Sequence, residues 1–174
     1  MRAVFSFIAL LWFGLASANP PEVLRDVAPQ WAQIGSAKFR WFGLHIYDIA
    51  LWSAGRGFDD KEPKEPYALA IRYARNIPGD QLVNTSLEQM RGLGYRDEAE
   101  LARWRGLLVS VFPDVKPGEV IVGVHQPGVG AKFFHEGKPT GAFNDVKLAK
   151  AFFGIWMDEK TSEPGLRAKL LGRP

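Results

Sequence analysis

Hydrophobic and polar residues alternate along residues 35–52, which read GSAKFRWFGLHIYDIALW. In an extended chain, alternate side chains point to opposite faces of a sheet. One face then carries Phe39, Trp41, His45, Tyr47, Ile49 and Leu51, and the other carries Lys38, Arg40, Phe42, Leu44, Ile46, Asp48 and Trp52. Gly43 predicts a bulge or a break into two strands. Because both faces are largely apolar, we expect much of this strand to be covered on both sides.

Residues 67–75, YALAIRYAR, alternate more cleanly and predict a second strand. Large side chains form one face, and small side chains interrupted by Arg72 form the other. The large set is Tyr67, Leu69, Ile71 and Tyr73, and the small set is Ala68, Ala70 and Ala74. The polar, proline-broken residues 55–66 predict an exposed loop between the two strands.

Helical periodicity begins near Pro78 and ends at Gly92 or Gly94. A second helix is predicted after Asp97, which acts as its N-cap and forms a capping box with Glu100. Two more helices are expected near the C-terminus. Asn144 is the predicted cap of the first, and Pro164 lies in the first turn of the second.

Between these helices, residues 120–126 and 131–139 predict a β-hairpin around the turn PGVG, ending in a second turn. Strands, two helices, a hairpin and two helices therefore follow one another. This order predicts an α+β fold, with an antiparallel sheet and helices mainly on one face. It does not match the alternating order of a doubly wound nucleotide-binding fold.

The first eighteen residues have the pattern of a secretory signal peptide. Arg2 precedes an apolar run over residues 3–16, and the small residues Ala16 and Ala18 mark a cleavage site before Asn19. The apolar run is shorter than the ~20 residues that a membrane-spanning helix needs. The sequence thus predicts a signal peptide at 1–18 and one domain at 19–174, exported and most consistent with a periplasm, with no stable membrane span after cleavage.

Composition and motifs exclude several kinds of chemistry. The chain has no cysteine, so it has neither disulfides nor thiolate metal sites. A net charge of +3, evenly spread, does not favour nucleic acid as a partner. The histidines His45, His125 and His135 form no HxH or HExxH motif, and GxSxG is absent. We expect no metal and no cofactor, and no motif indicates an enzyme.

Two arginines lie inside predicted strands. Arg40 and Arg72 are candidate anion grips, because a guanidinium beside small or aromatic residues can hold a carboxylate bidentately. The alternative is that both extend along an open sheet face into water. Tyr47 offers a hydroxyl donor, although packing in the core would also explain it.

Four segments, in order, resemble the chalcone isomerase superfamily, in particular its exported bacterial chalcone-isomerase-like branch. They are residues 35–52, 76–94, 112–143 and 151–172. The resemblance implies an open-faced β-sandwich, in which a large antiparallel sheet and a helical layer enclose a ligand cleft. This agrees with the α+β order of elements.

The resemblance also implies which groups a chalcone isomerase would use. These are an Arg and a Thr on the long strand, a Tyr and an Asn on the first helix, and a late Ser or Thr. In this sequence the matching positions fall at or near Ala37, Phe42, Pro78, Thr85 and Ala149. Most of that set is therefore missing, and the resemblance lies closer to the superfamily's non-catalytic fatty-acid-binding members.

The leading hypothesis is an exported, non-catalytic protein that binds a small apolar molecule or an amphipathic, fatty-acid-like carboxylate between sheet and helices. Its predicted ligand-binding residues are Arg40, Arg72, Tyr47, Thr85, Asn84, Trp41 and Phe42. One alternative is an isomerase or intramolecular lyase with a rearranged site. Another is a structural or partner-binding envelope protein with a filled cleft.

Overall fold

Six strands form one antiparallel sheet in the part of the chain that the computed structural model describes, residues 19–55 and 57–173. They pair in chain order: β1 (Ala32–Trp41), β2 (Leu44–Ser53), β3 (Tyr67–Tyr73), β4 (Val120–Gln126), β5 (Gly130–His135) and β6 (Lys138–Phe143). The predicted signal peptide lies outside the described residues. No described helix is long and apolar enough to cross a membrane.

Four α-helices form a layer on one face of the sheet. They are α1 (Gly79–Gly92), α2 (Glu98–Val109), α3 (Val146–Met157) and α4 (Pro164–Leu170). A short 3-10 helix (Glu22–Asp26) precedes β1 and covers part of the other face through Leu24, which is fully buried against Trp52. The structure confirms the predicted α+β class. We call the helix-covered side the cleft face and the other side the open face.

Strand β3 shows why the two faces of the sheet differ. Its large side chains share one face, as predicted, and the structure places that face in the main core under the helices, together with Trp104 and Phe153. Ala68 and Ala70 lie in the smaller cluster on the open face, and the side chain of Arg72 is exposed there. Strict alternation along an extended backbone produces this division.

Helix α4 is held against both the sheet and the polar loop. A Cβ at Gly35 would lie 2.2 Å from the carbonyl oxygen of Lys169, so only glycine allows this close approach of α4 to β1. From the loop, Asp60 pairs with Arg167 and, at 2.8 Å, with Arg173. Although burial opposes it, these two guanidinium groups hold the pKa of Asp60 below its ordinary value. Helix α4 is thus fixed against β1, the edge strand of the sheet.

The predicted strand at 35–52 is broken at Phe42 and Gly43 into β1 and β2, one of the two outcomes that Gly43 indicated. The pairing register shifts between Phe39 and Arg40, because Phe39 pairs with Tyr47 whereas Arg40 pairs with His45. This irregularity ends the simple alternation. As a result His45 is not on the same face as Tyr47, and its Nε2 lies 3.2 Å from Asp48 without hydrogen-bond geometry.

Three further elements differ in part from the sequence prediction. Strand β6 was missed because Pro139 and Gly141 weaken a strand pattern, although an edge strand tolerates them. Asn144 is not the cap of α3, since Asp145 accepts the hydrogen bond from the Leu148 amide. Asp97 does cap α2. Glu100, however, pairs with Lys147 at 2.7 Å instead of closing a capping box.

Candidate functional site

A cleft of about 690 Å³ opens between the cleft face of the sheet and helices α1 and α3. Its volume lies within the roughly 300–1,000 Å³ typical of small-molecule sites. Its walls are mainly aromatic and aliphatic: Phe39, Trp41, Ile46, Tyr47, Leu69, Ile71, Tyr73, Ile77, Leu82, Phe112, Ile121, Phe133, Phe152, Phe153, Ile155 and Trp156. Such a lining favours apolar ligands, because burying apolar surface is the main gain on binding.

One polar pair lies within this apolar wall. Trp156 Nε1 donates a hydrogen bond of 3.0 Å to the hydroxyl oxygen of Tyr47. Burial raises the pKa of Tyr47 to about 12, the hydrogen bond from Trp156 opposes this, and the nearby charge of Glu163 adds to it. The hydroxyl therefore stays protonated at neutral pH. Among the described residues it has no acceptor for its own proton, so it can donate to a ligand.

The helical side of the cleft carries further polar groups, most of them neutral. Gln81, Thr85, Ser86 and Gln89 come from α1, and Ser162 follows α3. Several are already bonded: the Ser86 hydroxyl donates to the Leu82 carbonyl, and the Ser162 hydroxyl donates to Gln89 Oε1 at 2.9 Å. These bonds fix the rim of the cleft on the helical side.

Charge along the cleft is acidic. Among the described residues that line it, Glu88 and Glu163 carry carboxylates, and none is lysine or arginine. An ionised ligand carboxylate inside the cleft would therefore meet no cation, and removing it from water uncompensated is unfavourable. The cleft suits ligands whose buried polar groups are neutral.

The structure divides the predicted site residues. Tyr47, Thr85 and Trp41 line the cleft. Asn84, although adjacent to Thr85, does not line it, because successive residues on a helix lie about 100° apart. Phe42 is a turn residue whose side chain is 89% exposed, so it is not a wall of the cleft.

Neither predicted anion grip lies in the cleft. Arg40 is exposed and donates through Nη1 to the carbonyl oxygen of Gly43 at 3.1 Å, beside the β1–β2 turn. Arg72 projects from the open face and donates to the carbonyl oxygen of Gly118 at 2.8 Å. Because alternate residues of β3 point away from the cleft, Arg72 could not share a face with Ile71. Neither guanidinium is positioned to hold a ligand inside the cleft, and a binding role elsewhere stays a prediction.

Arg72 instead borders a second, shallower groove of about 890 Å³ on the open face. Ala50, Ala70 and Val122 line it together with charged side chains. Lys38 and Asp48, which also border it, approach each other to 3.6 Å. Both are about half exposed, so this pair is weak.

Sequence reasoning placed Trp156 in the core and missed its bond to Tyr47. The two residues are 109 positions apart, so no local pattern connects them. The signal available was chemical: a buried indole or phenol ordinarily finds a hydrogen-bond partner.

Most positions implied for chalcone isomerase chemistry carry no polar group into the cleft. Ala149 is fully buried in the core, and Pro78 forms the N-cap of α1. Thr85 is the exception, since it lines the cleft. The described residues contain no group of three or more potential metal ligands.

Comparison with known proteins identifies the family. The sequence model of a family described as chalcone isomerase-like matches residues 38–172. An uncharacterised protein of Haemophilus influenzae is 27% identical over 143 residues, which cover 82% of this chain and 69% of that protein. The crystal structure of the Arabidopsis thaliana fatty-acid binding protein AtFAP1 matches with a TM-score of 0.62 and 12% sequence identity, over 81% of this chain and 86% of that chain. The sheet, the helical layer and the sequence match together show that this chain belongs to the chalcone isomerase-like family.

Proposed function

We propose that this protein binds one small apolar or amphipathic molecule, fatty-acid-like in shape, in the cleft between the sheet and helices α1 and α3. The observation that carries the proposal is the cleft itself. It is large enough for a small ligand, its walls are mainly aromatic and aliphatic, and the Tyr47 hydroxyl inside it is free to donate a hydrogen bond. The shared fold with a fatty-acid binding protein supports the same ligand class.

The polar groups of the cleft indicate which head groups a ligand can carry. Tyr47 can donate to an alcohol, an ester, an amide or a protonated acid, whereas Glu88 and Glu163 repel an anion. A fatty acid would therefore bind either with its carboxyl group protonated beside Tyr47 or with the carboxylate in water at the rim. We expect neutral head groups to be preferred over ionised carboxylates of equal chain length.

The binding we propose is not catalytic. Ala37 and Ala149, which take two of the positions implied for chalcone isomerase chemistry, have no group that transfers a proton. Phe42, at a third such position, points into solvent. We also infer from the signal-peptide pattern that the protein is exported and works in the periplasm. The intact mass of the exported protein, expected to correspond to residues 19–174, tests this.

Two adjacent residues of α1 provide a matched test of the cleft. Thr85 and Asn84 are both exposed, but only Thr85 lines the cleft. Thr85→Trp should fill the entrance and weaken binding of the fluorescent fatty acid cis-parinaric acid at least about tenfold, the equivalent of about 1.4 kcal/mol. Asn84→Trp adds the same bulk outside the cleft and should bind like the unaltered protein.

Titration followed by probe fluorescence distinguishes the outcomes. The unaltered protein should show saturable binding that an unlabelled fatty alcohol displaces. Absence of saturable binding, or equal weakening by both tryptophan substitutions, would show that the cleft is not the binding site.

A further inference from the structure

The turn between β1 and β2 exposes three large apolar side chains side by side. Trp41 is 57% exposed, Phe42 89% and Leu44 52%, and we call these three residues the aromatic tip. Among the described residues, the other exposed large hydrophobic side chains are three valines, Val109, Val129 and Val146. Single exposed apolar residues are ordinary on protein surfaces, whereas a cluster at a protruding turn indicates contact with a partner.

Backbone geometry makes the exposure of Phe42 more unusual. Phe42 has φ +46° and Gly43 has φ +80°, the pattern of a type I′ turn. Glycine and asparagine favour this left-handed conformation, and bulky aromatic residues rarely adopt it. The ring of Phe42 makes an edge-on aromatic contact with Trp41 at 5.0 Å, and still remains largely in solvent.

The turn between β5 and β6 shows how the same geometry is used elsewhere. Glu136 has φ +49° and Gly137 has φ +78°, nearly the values at Phe42 and Gly43. The carboxylate of Glu136, however, accepts a hydrogen bond of 2.6 Å from the Val120 amide. That side chain therefore has a role inside the fold. Phe42 has none comparable, and an unfavourable conformation without internal compensation points to a role outside the molecule.

Two guanidinium groups flank the aromatic tip. Arg40 donates to the Gly43 carbonyl at 3.1 Å, and Arg75 donates through Nε to the His45 carbonyl at 3.1 Å. Both side chains are exposed, and neither pairs with a carboxylate among the described residues. These bonds hold two positive charges close to the apolar side chains and leave donors free for another anion.

We propose that the aromatic tip docks the protein onto a lipid bilayer that contains anionic lipids. Trp and Phe partition into the membrane interface, and arginine beside them pairs with lipid phosphates. The three side chains expose on the order of 400 Å², well below the ~800 Å² per partner of a standard protein–protein interface. The small apolar tip and its flanking positive charges fit a membrane surface better than a protein.

The tip is continuous with the cleft. Trp41 belongs to both, and Phe39 and Ile46 continue the cleft wall from the same end of the hairpin. Docking would thus bring the entrance of the cleft to the bilayer, where an amphipathic ligand could enter or leave without crossing water. This last step rests on the proposed ligand-binding function, whereas docking itself does not.

Vesicle flotation with the variant Phe42→Asn tests docking. Vesicles of phosphatidylglycerol and phosphatidylethanolamine in equal parts should bind the unaltered protein. Phe42→Asn should lower the partition coefficient about ten- to a hundredfold, because a large apolar side chain no longer enters the interface. Asparagine suits the left-handed turn, so the midpoint of thermal unfolding should stay equal or rise. The loss of binding could then not be attributed to misfolding.

The control is Val129→Asn. Val129 is exposed in the turn between β4 and β5, at the opposite end of the sheet, and this variant should float like the unaltered protein. Arg40→Gln and Arg75→Gln should each weaken binding roughly fivefold to these vesicles, and much less to pure phosphatidylcholine.

Two results would overturn the proposal. One is equal flotation of Phe42→Asn and the unaltered protein. The other is self-association without vesicles that Phe42→Asn abolishes, since that would identify a protein contact. Thr85→Trp, which blocks the cleft, should still float, and Phe42→Asn should still bind cis-parinaric acid. Failure of docking and failure of ligand binding are therefore distinguishable.

Discussion

The two faces of the sheet differ in how they hold polar groups. The cleft face buries them in neutral form, and the open face exposes ionisable side chains to solvent. On the cleft face, burial raises the pKa of Tyr47 to about 12 and also raises the pKa values of Tyr67 and Tyr73. Burial likewise lowers the pKa of His125 to about 4, so its imidazole is neutral. The open face instead presents the ionisable side chains of Lys38, Asp48 and Arg72 to solvent.

This contrast arises between neighbouring residues of the same strands. Ile71 faces the core and Arg72 faces solvent, and Asp48 pairs across the open face from Arg72 while Tyr47 pairs with Tyr73. The cleft face is therefore suited to apolar ligands with neutral polar groups. Arg72, whose guanidinium was a predicted anion grip, lies on the open face. Experiments that alter one face at a time test the distinction.

The largest expected effect is a loss of folding stability at low pH, caused by His125. Its ring stacks on Tyr67 at 4.7 Å and meets Phe153 edge-on at 5.3 Å. As pH falls below the ordinary histidine pKa of 6.5, His125 binds a proton in the unfolded chain. In the folded chain it binds that proton only near pH 4. The free energy of unfolding should therefore fall between pH 6.5 and 4, by roughly 2 kcal/mol after allowance for partial exposure.

Urea unfolding at a series of pH values measures this loss. His125→Phe keeps an aromatic ring against Tyr67 and should remove the His125 contribution over that range. Below about pH 4 both proteins should lose stability together, because Asp60 and Asp145 have lowered pKa values. An unchanged slope between pH 6.5 and 4 in His125→Phe would show that the cleft face does not hold its histidine neutral.

A smaller effect compares one polar group on each face. Tyr47→Phe removes the hydroxyl donor, and it leaves Trp156 Nε1 without its acceptor. The affinity for a fatty alcohol should fall roughly fivefold, about 1 kcal/mol, as for loss of one hydrogen bond. Arg72→Gln, on the open face, should leave that affinity unchanged.

Isothermal titration calorimetry with the fatty alcohol, and with a hydrocarbon of equal length as control, measures both variants. The hydrocarbon should bind equally well to Tyr47→Phe and to the unaltered protein. Weaker binding by Arg72→Gln would break the distinction between the faces, because it would place the ligand on the open side.

The sequence predicted those features of the fold that contacts between nearby residues determine. The alternation in β3 and the cap at Asp97 are local, and both are confirmed. Of the predicted ligand-binding residues, Trp41, Tyr47 and Thr85 line the cleft, and their role in binding stays a prediction. The side of the sheet that forms the cleft could not be read, since both sides of residues 35–52 are apolar.

The remaining differences between prediction and structure also concern the direction of individual side chains, which local patterns do not determine. The register shift at Phe39 and the turn at Phe42 moved side chains away from the faces that unbroken alternation assigned to them. On α1, a displacement of one residue separates Asn84 from the cleft. The bond between Trp156 and Tyr47 depends on how the helical layer packs, which no local pattern encodes.

Native mass spectrometry of the protein purified from its own compartment tests ligand binding in the cleft most directly. We predict a bound amphiphile at a ratio of one to one, retained by Asn84→Trp and absent from Thr85→Trp. The opposite result would be a protein that carries no small molecule, takes up no added fatty acid or alcohol, and behaves identically in both variants. That result would contradict ligand binding in the cleft.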